Sequence, residues 1–543
     1  MHRRLLLALG LAVVGASLFV AASFAGSTAS STSGVSKGGT LRLDLSSTDF
    51  EFLDPQLSYE SNGWAFLYAI NQQLLNYPDK PGNAGGNQLQ PEAATGFPVV
   101  SKDGKTYTFT VKSGIKFSDG SPLTAAAFAR AIVRVCHPDM GSPAIAFATN
   151  FAGCQAFNDK KGALTGVRAV GQKLTVKLVQ ADPTFLSQIS MPFFASVKPN
   201  MPINPKGESV YPSTGPYTIV SREIGRSVVI ERNKQYKGNR PANADRMVIT
   251  VNTDPNQTLL RVKAGEADLD IGGPPSAQVA SLADEFGVNK TRFFVNPLVG
   301  TGYIALNTSR AAYGNVKRRQ AVNYAVDRPA LLRTRGKFGG SRTDQILAPQ
   351  LPGFKPAKIY PLGGAQAAKA KELLGGFTGE VNHLHTTSAA SVAHAQIVKF
   401  NLEQAGLKVN LKPQPFGVAL ATMGNKGNEM DSFTIGWIAD YFDPFDFINV
   451  LLDGTTIQET NNSNYAYFND AKYNKLMKAA ARLTGQARYT AYGNLDIDIM
   501  KNAAPWIPLF NYTSRDFVSA RIENFIFHPV YGHPIFNALA IKK

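Results

Sequence analysis

The stretch SVAHAQIVKFNLEQAGLKVNL, Ser391–Leu411, reads as a helix that runs straight into a strand. Ser391 to Ala405 predicts a helix, Gly406 supplies the left-handed residue that ends it, and Val409-Asn410-Leu411 alternates as a strand does. The same alternation continues outward. Tyr303–Asn307 and Phe433–Trp437 predict short strands, and Val316–Arg333 and Ala365–Leu374 predict helices. The helix at 316–333 carries a stripe of Val316, Ala321, Tyr324, Ala325 and Leu331. Strands interleaved with helices, without any 20–50-residue repeat, indicate an α/β architecture.

The N-terminal half is richer in hairpins. Thr40–Leu45 alternates apolar and polar residues and predicts the first strand. Trp64, Leu67, Tyr68, Ile70 and Leu74 form a helical stripe within Asn62–Leu75. Tyr107–Val111 is β-branched and aromatic, and it sits between the turn signals Lys102–Lys105 and Ser118–Ser121. Thr124 is placed to cap the helix that follows. Residues 169–180 read as a hairpin partner, Pro212–Tyr217 as a tight turn, and Val228–Arg232 and Arg246–Val251 as strands.

The chain opens with Arg3-Arg4, an apolar run from Leu5 to Ala25 and then a small, polar stretch. That order is the pattern of a secretory signal peptide, with cleavage placed after Ala25. An uncleaved anchor is the alternative, since the apolar run is long enough to span a bilayer. Residues 26–38, rich in Ser, Thr and Gly, read as a flexible tether. With 543 residues the chain is too long for one small core, so two or three domains are expected. The formal net charge is +17. No basic run is interleaved with stacking aromatics, so nucleic acid is not the indicated partner. The dispersed Lys and Arg read as a solvated surface suited to anionic lipid or wall polymer. Cys136 and Cys154 are the only cysteines. In an exported protein they are expected as a disulfide, against the alternative of two buried thiols.

Catalytic patterns fail on context. Gly34–Gly38 has the spacing of a nucleophile elbow but lies in the tether, and Ser113-Gly114-Ile115-Lys116 joins a strand to a turn, where the Ser-x-x-Lys motif needs to start a helix. No phosphate-cradling loop and no His-Glu-x-x-His occurs. His383, His385 and His394 form the one histidine cluster; a metal site and a set of surface histidines are the two readings, and no metal or cofactor is assigned.

An ordered set of short motifs spans the chain after the tether: Lys37–Arg42, Leu53-Asp54-Pro55, Asp103–Phe109, Lys116–Ala125, Ser213–Tyr217, Glu231–Tyr236, Ala264–Asp268, Leu306–Thr308, Lys317–Arg328 and Gly436–Pro444. In that order they resemble family 5 of the extracellular solute-binding proteins, the dipeptide- and oligopeptide-binding components of ABC importers. The resemblance implies a two-lobed, type II periplasmic-binding-protein-like α/β fold with an extra subdomain in the first lobe. It places the first-lobe core at 39–70, 208–296 and 505–543, the extra subdomain at 71–207 and the second lobe at 297–504. It implies a monomeric, exported receptor, not an enzyme, that closes on a peptide and delivers it to membrane permease subunits. By the same resemblance Asp440 would pair with the ligand's ammonium and Trp437 would wall its first residue. Gly436 and Ile438 would offer backbone groups, and Tyr59, Glu60 and Ser61 would form the first lobe's contact. An oligosaccharide, a nickel chelate or haem is the alternative ligand, and a secreted hydrolase is the alternative class.

Overall fold

The computed structural model describes residues 35–543. The expected signal peptide and the tether as far as Gly34 lie outside the described residues.

The first lobe is built on a five-stranded mixed sheet, in the spatial order Leu269–Asp270, Thr40–Ser46, Arg246–Thr253, Ser227–Arg232, Tyr217–Glu223. Thr40–Ser46 is an interior strand, parallel to both neighbours. Its Leu41, Leu43 and Leu45 are fully buried and pack with Phe66, Ile70 and Ile249. The C-terminal segment joins this core through Val518, Ile522, Phe536 and Leu539. The second lobe is a six-stranded mixed sheet, in the order Gly340–Arg342, Trp506–Phe517, Phe293–Leu306, Ser432–Ile438, Glu380–Thr386, Lys408–Gln414. Helix Ala389–Gln404 connects the last two strands, which pair in parallel, as the helix–strand reading of Ser391–Leu411 requires.

A third, four-stranded sheet (Val99–Val100, Thr106–Thr110, Lys173–Lys177, Val167–Val170) packs against helix Ala125–Cys136. A disulfide joins Cys136 to Cys154 at the start of a short helix, with the two Cα atoms 5.4 Å apart. The Leu53-Asp54-Pro55 turn explains how this subdomain is fixed. Asp54 accepts Arg134 Nη1 at 2.9 Å and Nη2 at 2.6 Å, and both side chains are fully buried. The same carboxylate accepts backbone N–H groups of Gln56 and Glu208. Such a fork satisfies a buried guanidinium geometrically as well as electrically.

Two readings need correction. The helix expected over 316–333 is two, Val316–Ala325 and Arg328–Arg333. Pro329 cannot continue the first helix, and Asp327 caps the second by accepting the Ala330 N–H at 2.8 Å. The short strand expected at Tyr303–Asn307 is the end of a 14-residue strand, Phe293–Leu306. Pro297, Gly300 and Gly302 hide it from a pattern based on β-branched residues.

That long strand runs antiparallel to Trp506–Phe517. At one end Phe293 and Phe517 pack with Leu259 and Val262; at the other, Tyr303 and Trp506 stack with ring centres 3.5 Å apart. The register slips between Pro297 and Thr301 and again between Gly302 and Tyr303. Bulges of this kind bend a ribbon locally and interrupt its hydrogen bonding. No helix of the described residues is long and apolar enough to cross a membrane.

Candidate ligand-binding site

Strand Ser432–Ile438 has one satisfied edge and one open edge. It pairs with Phe293–Leu306 along its whole length. On the other side Glu380–Thr386 reaches only Ser432 and Phe433. The Ala439 N–H donates to Val299 O at 2.8 Å. Backbone groups alternate sides with period two, so those of Gly436 and Ile438 aim at the open edge. Gly436 is glycine for a steric reason: a Cβ there would overlap the Tyr512 hydroxyl. Ile438 leaves 42% of its surface exposed.

The strand ends in an acidic turn. The fully buried Asp446 holds this turn: its Oδ2 accepts the Trp437 Nε1–H and the Asp440 backbone N–H, each at 3.0 Å. Its Oδ1 is buried and has no hydrogen-bond partner. Burial pushes the Asp440 carboxyl up to about 7, against the opposing pull of the Tyr59 hydroxyl. Burial and the neighbouring Asp440 push Asp446 up as well. One turn away, Asp443 is fully engaged by Arg488, through Nε at 3.0 Å and Nη2 at 2.8 Å.

From the first lobe, Tyr59 donates its hydroxyl to Asp440 Oδ2 at 2.8 Å. Tyr59 keeps 39% of its surface exposed. Tyr59 is held by Trp64 and Phe193, with ring centres 5.9 and 5.5 Å away, and Trp64 is itself fixed by donating Nε1–H to Ser58 O. The space left at Asp440 measures about 20 Å³ and is lined by Trp64, Tyr68, Tyr77, Met191, Tyr441 and Tyr531, among others. That volume admits about one water molecule, so the cleft is closed on itself here. The wall carries no Lys, Arg or His, so it offers no cation for a ligand carboxylate.

Of the residues singled out from sequence, Asp440, Trp437 and Tyr59 come together, with Gly436 and Ile438 on the adjoining edge. Trp437 gives its N–H to Asp446 and so has only its ring to offer a ligand. Glu60 and Ser61 are exposed and do not line this space. Glu60 instead lines a larger cavity, about 460 Å³, wholly within first-lobe segments around Asp49, Glu51 and Arg222. Asp446 went unnoticed in the sequence, as its only local signal is an acid in the first turn of helix Phe445–Leu452. The histidines are interior, not on the surface: His383 contacts Ser432 Oγ and Thr434 Oγ1 with its two nitrogens, and burial pushes it down to about 3. Among the described residues no group of three His, Cys, Asp or Glu is placed to hold a metal. Ser113 and Gly114 sit in a turn, where no helix begins.

Many known proteins are similar to this chain in sequence or in fold. Heme-binding protein A of Haemophilus influenzae is 25% identical over 485 residues, covering 84% of this chain and 85% of that protein. The oligopeptide-binding protein OppA of Bacillus subtilis is 24% identical over 503 residues, covering 88% of each. Among solved structures, clavulanic acid biosynthesis oligopeptide binding protein 2 superposes with a TM-score of 0.86 at 24% identity, covering 94% of this chain and 96% of that one. The periplasmic binding protein DppA from Helicobacter pylori, solved with the peptide STSA, gives 0.75 at 19% identity, over 94% and 99%. The fold is therefore the two-lobed, type II periplasmic-binding fold. Residues 88–459 match the family described as bacterial extracellular solute-binding proteins, family 5 Middle, and the chain belongs to that family.

Proposed function

We propose that this protein is the peptide-capturing receptor of an ABC importer. The observation that carries the reading is Asp440, a half-buried carboxylate between the lobes with a tyrosine hydroxyl and no cation beside it. A buried charge without a counter-charge is heavily penalised, and a peptide's terminal ammonium supplies both the charge and three donors. The open edge at Gly436 and Ile438 supports the same ligand. It can pair with an extended backbone without reading its side chains. Entry requires the lobes to part, and the bulged crossing strands are where such a motion would concentrate. For that motion we take the division 39–70, 208–296 and 505–543 against 297–504, with 71–207 as the added subdomain, save that the crossing strands Phe293–Leu306 and Trp506–Phe517 are paired within the second-lobe sheet. Asp440, Trp437, Tyr59, Gly436 and Ile438 are the residues assigned to the ligand, with Glu60 and Ser61 at its margin.

The N-terminal pattern and the disulfide support export, with the signal removed after Ala25 and the receptor acting as a monomer outside the cytoplasm. One relative is named for haem, so haem is included in the test. The deciding measurement is thermal shift against di- to pentapeptides, cello-oligosaccharides, nickel and haem. A rise in melting temperature with peptides alone is the expected result. A rise with sugars, nickel or haem and none with any peptide would overturn it.

A further inference from the structure

The acidic turn contains one carboxylate more than an ammonium needs. Asp446 is fully removed from water, Asp440 is half-buried beside it, and the charge on Asp440 raises the cost of charging Asp446. Groups packed around them from other elements offer no relief. Tyr59, Tyr441 and Tyr465 present hydroxyls whose ionisation is itself suppressed. Asp443 is negative, and its partner Arg488 is spent on it through two hydrogen bonds. Asp182 adds a further acid. Asp446 nonetheless does structural work through Oδ2, which fixes both the Trp437 ring and the Asp440 backbone, while Oδ1 is buried and bonded to nothing. A buried carboxylate oxygen without a donor is relieved most cheaply by a proton.

We propose that Asp446 is a positioning residue that makes ligand capture proton-linked: the closed, self-occupied cleft keeps a proton on the Asp440–Asp446 pair, and an incoming ammonium takes its place. This rests on the reading of the cleft as a peptide site. The exchange balances simply. The ligand's R–NH3+ enters against the pair, Asp440 becomes a full carboxylate, and one H+ leaves to solvent. No bond to carbon is made or broken. The ligand class is thereby narrowed to solutes with a free primary ammonium. Because binding releases a proton, affinity must rise with pH while the pair is protonated, by at most about tenfold per pH unit. With Asp440 held up to about 7, the rise runs through the acidic range to neutrality and then levels off.

The test titrates trialanine into the full receptor by calorimetry at pH 6, in two buffers of unlike ionisation enthalpy, for the wild type, Asp446→Asn and Asp440→Asn. Asn at 446 can still accept from Trp437 and Asp440, so packing is retained while the second acid is lost. The expected result is release of about one proton per trialanine in the wild type and less than half of that in Asp446→Asn. Asp446→Asn should also flatten the pH profile of affinity, which loss of structure alone would not do. N-acetyl-trialanine should release none. Equal proton release by wild type and Asp446→Asn overturns the proposal. A ligand-free arm separates it from the functional reading. Infrared difference spectra between wild type and each variant at neutral pH should show a carboxylic-acid C=O band that Asp446→Asn lacks. Absence of that band sinks the proposal even if trialanine binds. No trialanine binding with the band present sinks the peptide reading and leaves the stored proton standing.

Discussion

Tyr59 of the first lobe and Asp440 of the second are joined by a single 2.8 Å hydrogen bond, hydroxyl to carboxylate. This bond closes the cleft without a ligand and occupies the acid that a ligand would use. A hydrogen bond to a charged group is worth about 1.5–3 kcal/mol. Tyr59→Phe should therefore lower the closed population of the peptide-free protein, seen as a larger radius of gyration in small-angle scattering. Saturating peptide should restore the wild-type value. An unchanged radius without peptide would show that the bond does not hold the lobes together.

Asp440→Ala should weaken peptide binding at least about tenfold, a loss of about 1.4 kcal/mol. Calorimetry with a tight-binding peptide reads this directly. Unchanged affinity would refute the ammonium role and leave the open strand edge as the main contact.

Gly436→Ala should damage the site through Tyr512. The added methyl overlaps the Tyr512 hydroxyl, and Tyr512 lies on a crossing strand, so either the ring or the strand must move. The expected destabilisation is about 1–3 kcal/mol. Gly436→Ala combined with Tyr512→Phe should recover part of it, since the hydroxyl is the nearest clashing atom while Cζ and Cε2, at 2.7 and 2.8 Å, remain. No recovery in chemical denaturation would place the strain elsewhere.

Asp54→Ala should destabilise the molecule by about 3–5 kcal/mol, because it strands the fully buried Arg134 guanidinium. Asp54→Ala with Arg134→Met should be milder than Asp54→Ala alone. A double-mutant cycle by denaturation checks the coupling; simple additivity would show that the pair does not act as a unit.

Asp516 should lower stability as pH rises from about 4 to about 7, against His383, His394, His528 and His533, which burial holds down to about 3 or 4 and which act with the opposite sign. Burial holds the Asp516 carboxyl up to about 7, and only Ser514 donates to it. An unfolded aspartate titrates near 3.9. Across that window the unfolded chain gives up the proton and the folded one keeps it, so rising pH favours unfolding. Asp440 and Asp496, likewise pushed to about 7 by burial, act with the same sign. For Asp516 the effect is on the order of 3–4 kcal/mol. Asp516→Asn should flatten the difference in unfolding free energy between pH 4.5 and 7.5, and an unaltered slope would remove Asp516 from the account.

Asp440 and Tyr59 were both singled out through the resemblance, and the fold brings the two side chains together. The neighbouring Glu60 and Ser61 were indistinguishable from Tyr59 in sequence. Only the packing of Tyr59 on Trp64 and Phe193 turns that one side chain toward Asp440 and leaves Glu60 on another cavity. The long crossing strand escaped notice because Pro297, Gly300 and Gly302 carry no strand propensity, while pairing with a neighbour supplies the missing order.

Periodicity and turn residues are local properties, and they determined the α/β class and the helix–strand unit at Ser391–Leu411, while Asp440 was singled out only through the resemblance that the ordered motifs carry. What only the tertiary structure decided is everything that depends on two distant segments meeting. Asp54 and Arg134, Tyr59 and Asp440, Gly436 and Tyr512 are far apart in sequence, and no propensity encodes their contact. Even Asp446, six residues from Asp440, became visible only when the turn brought its carboxylate under the Asp440 N–H and the Trp437 indole. A carboxylate's charge, orientation and cost are set by what surrounds it, and those surroundings are assembled by the fold.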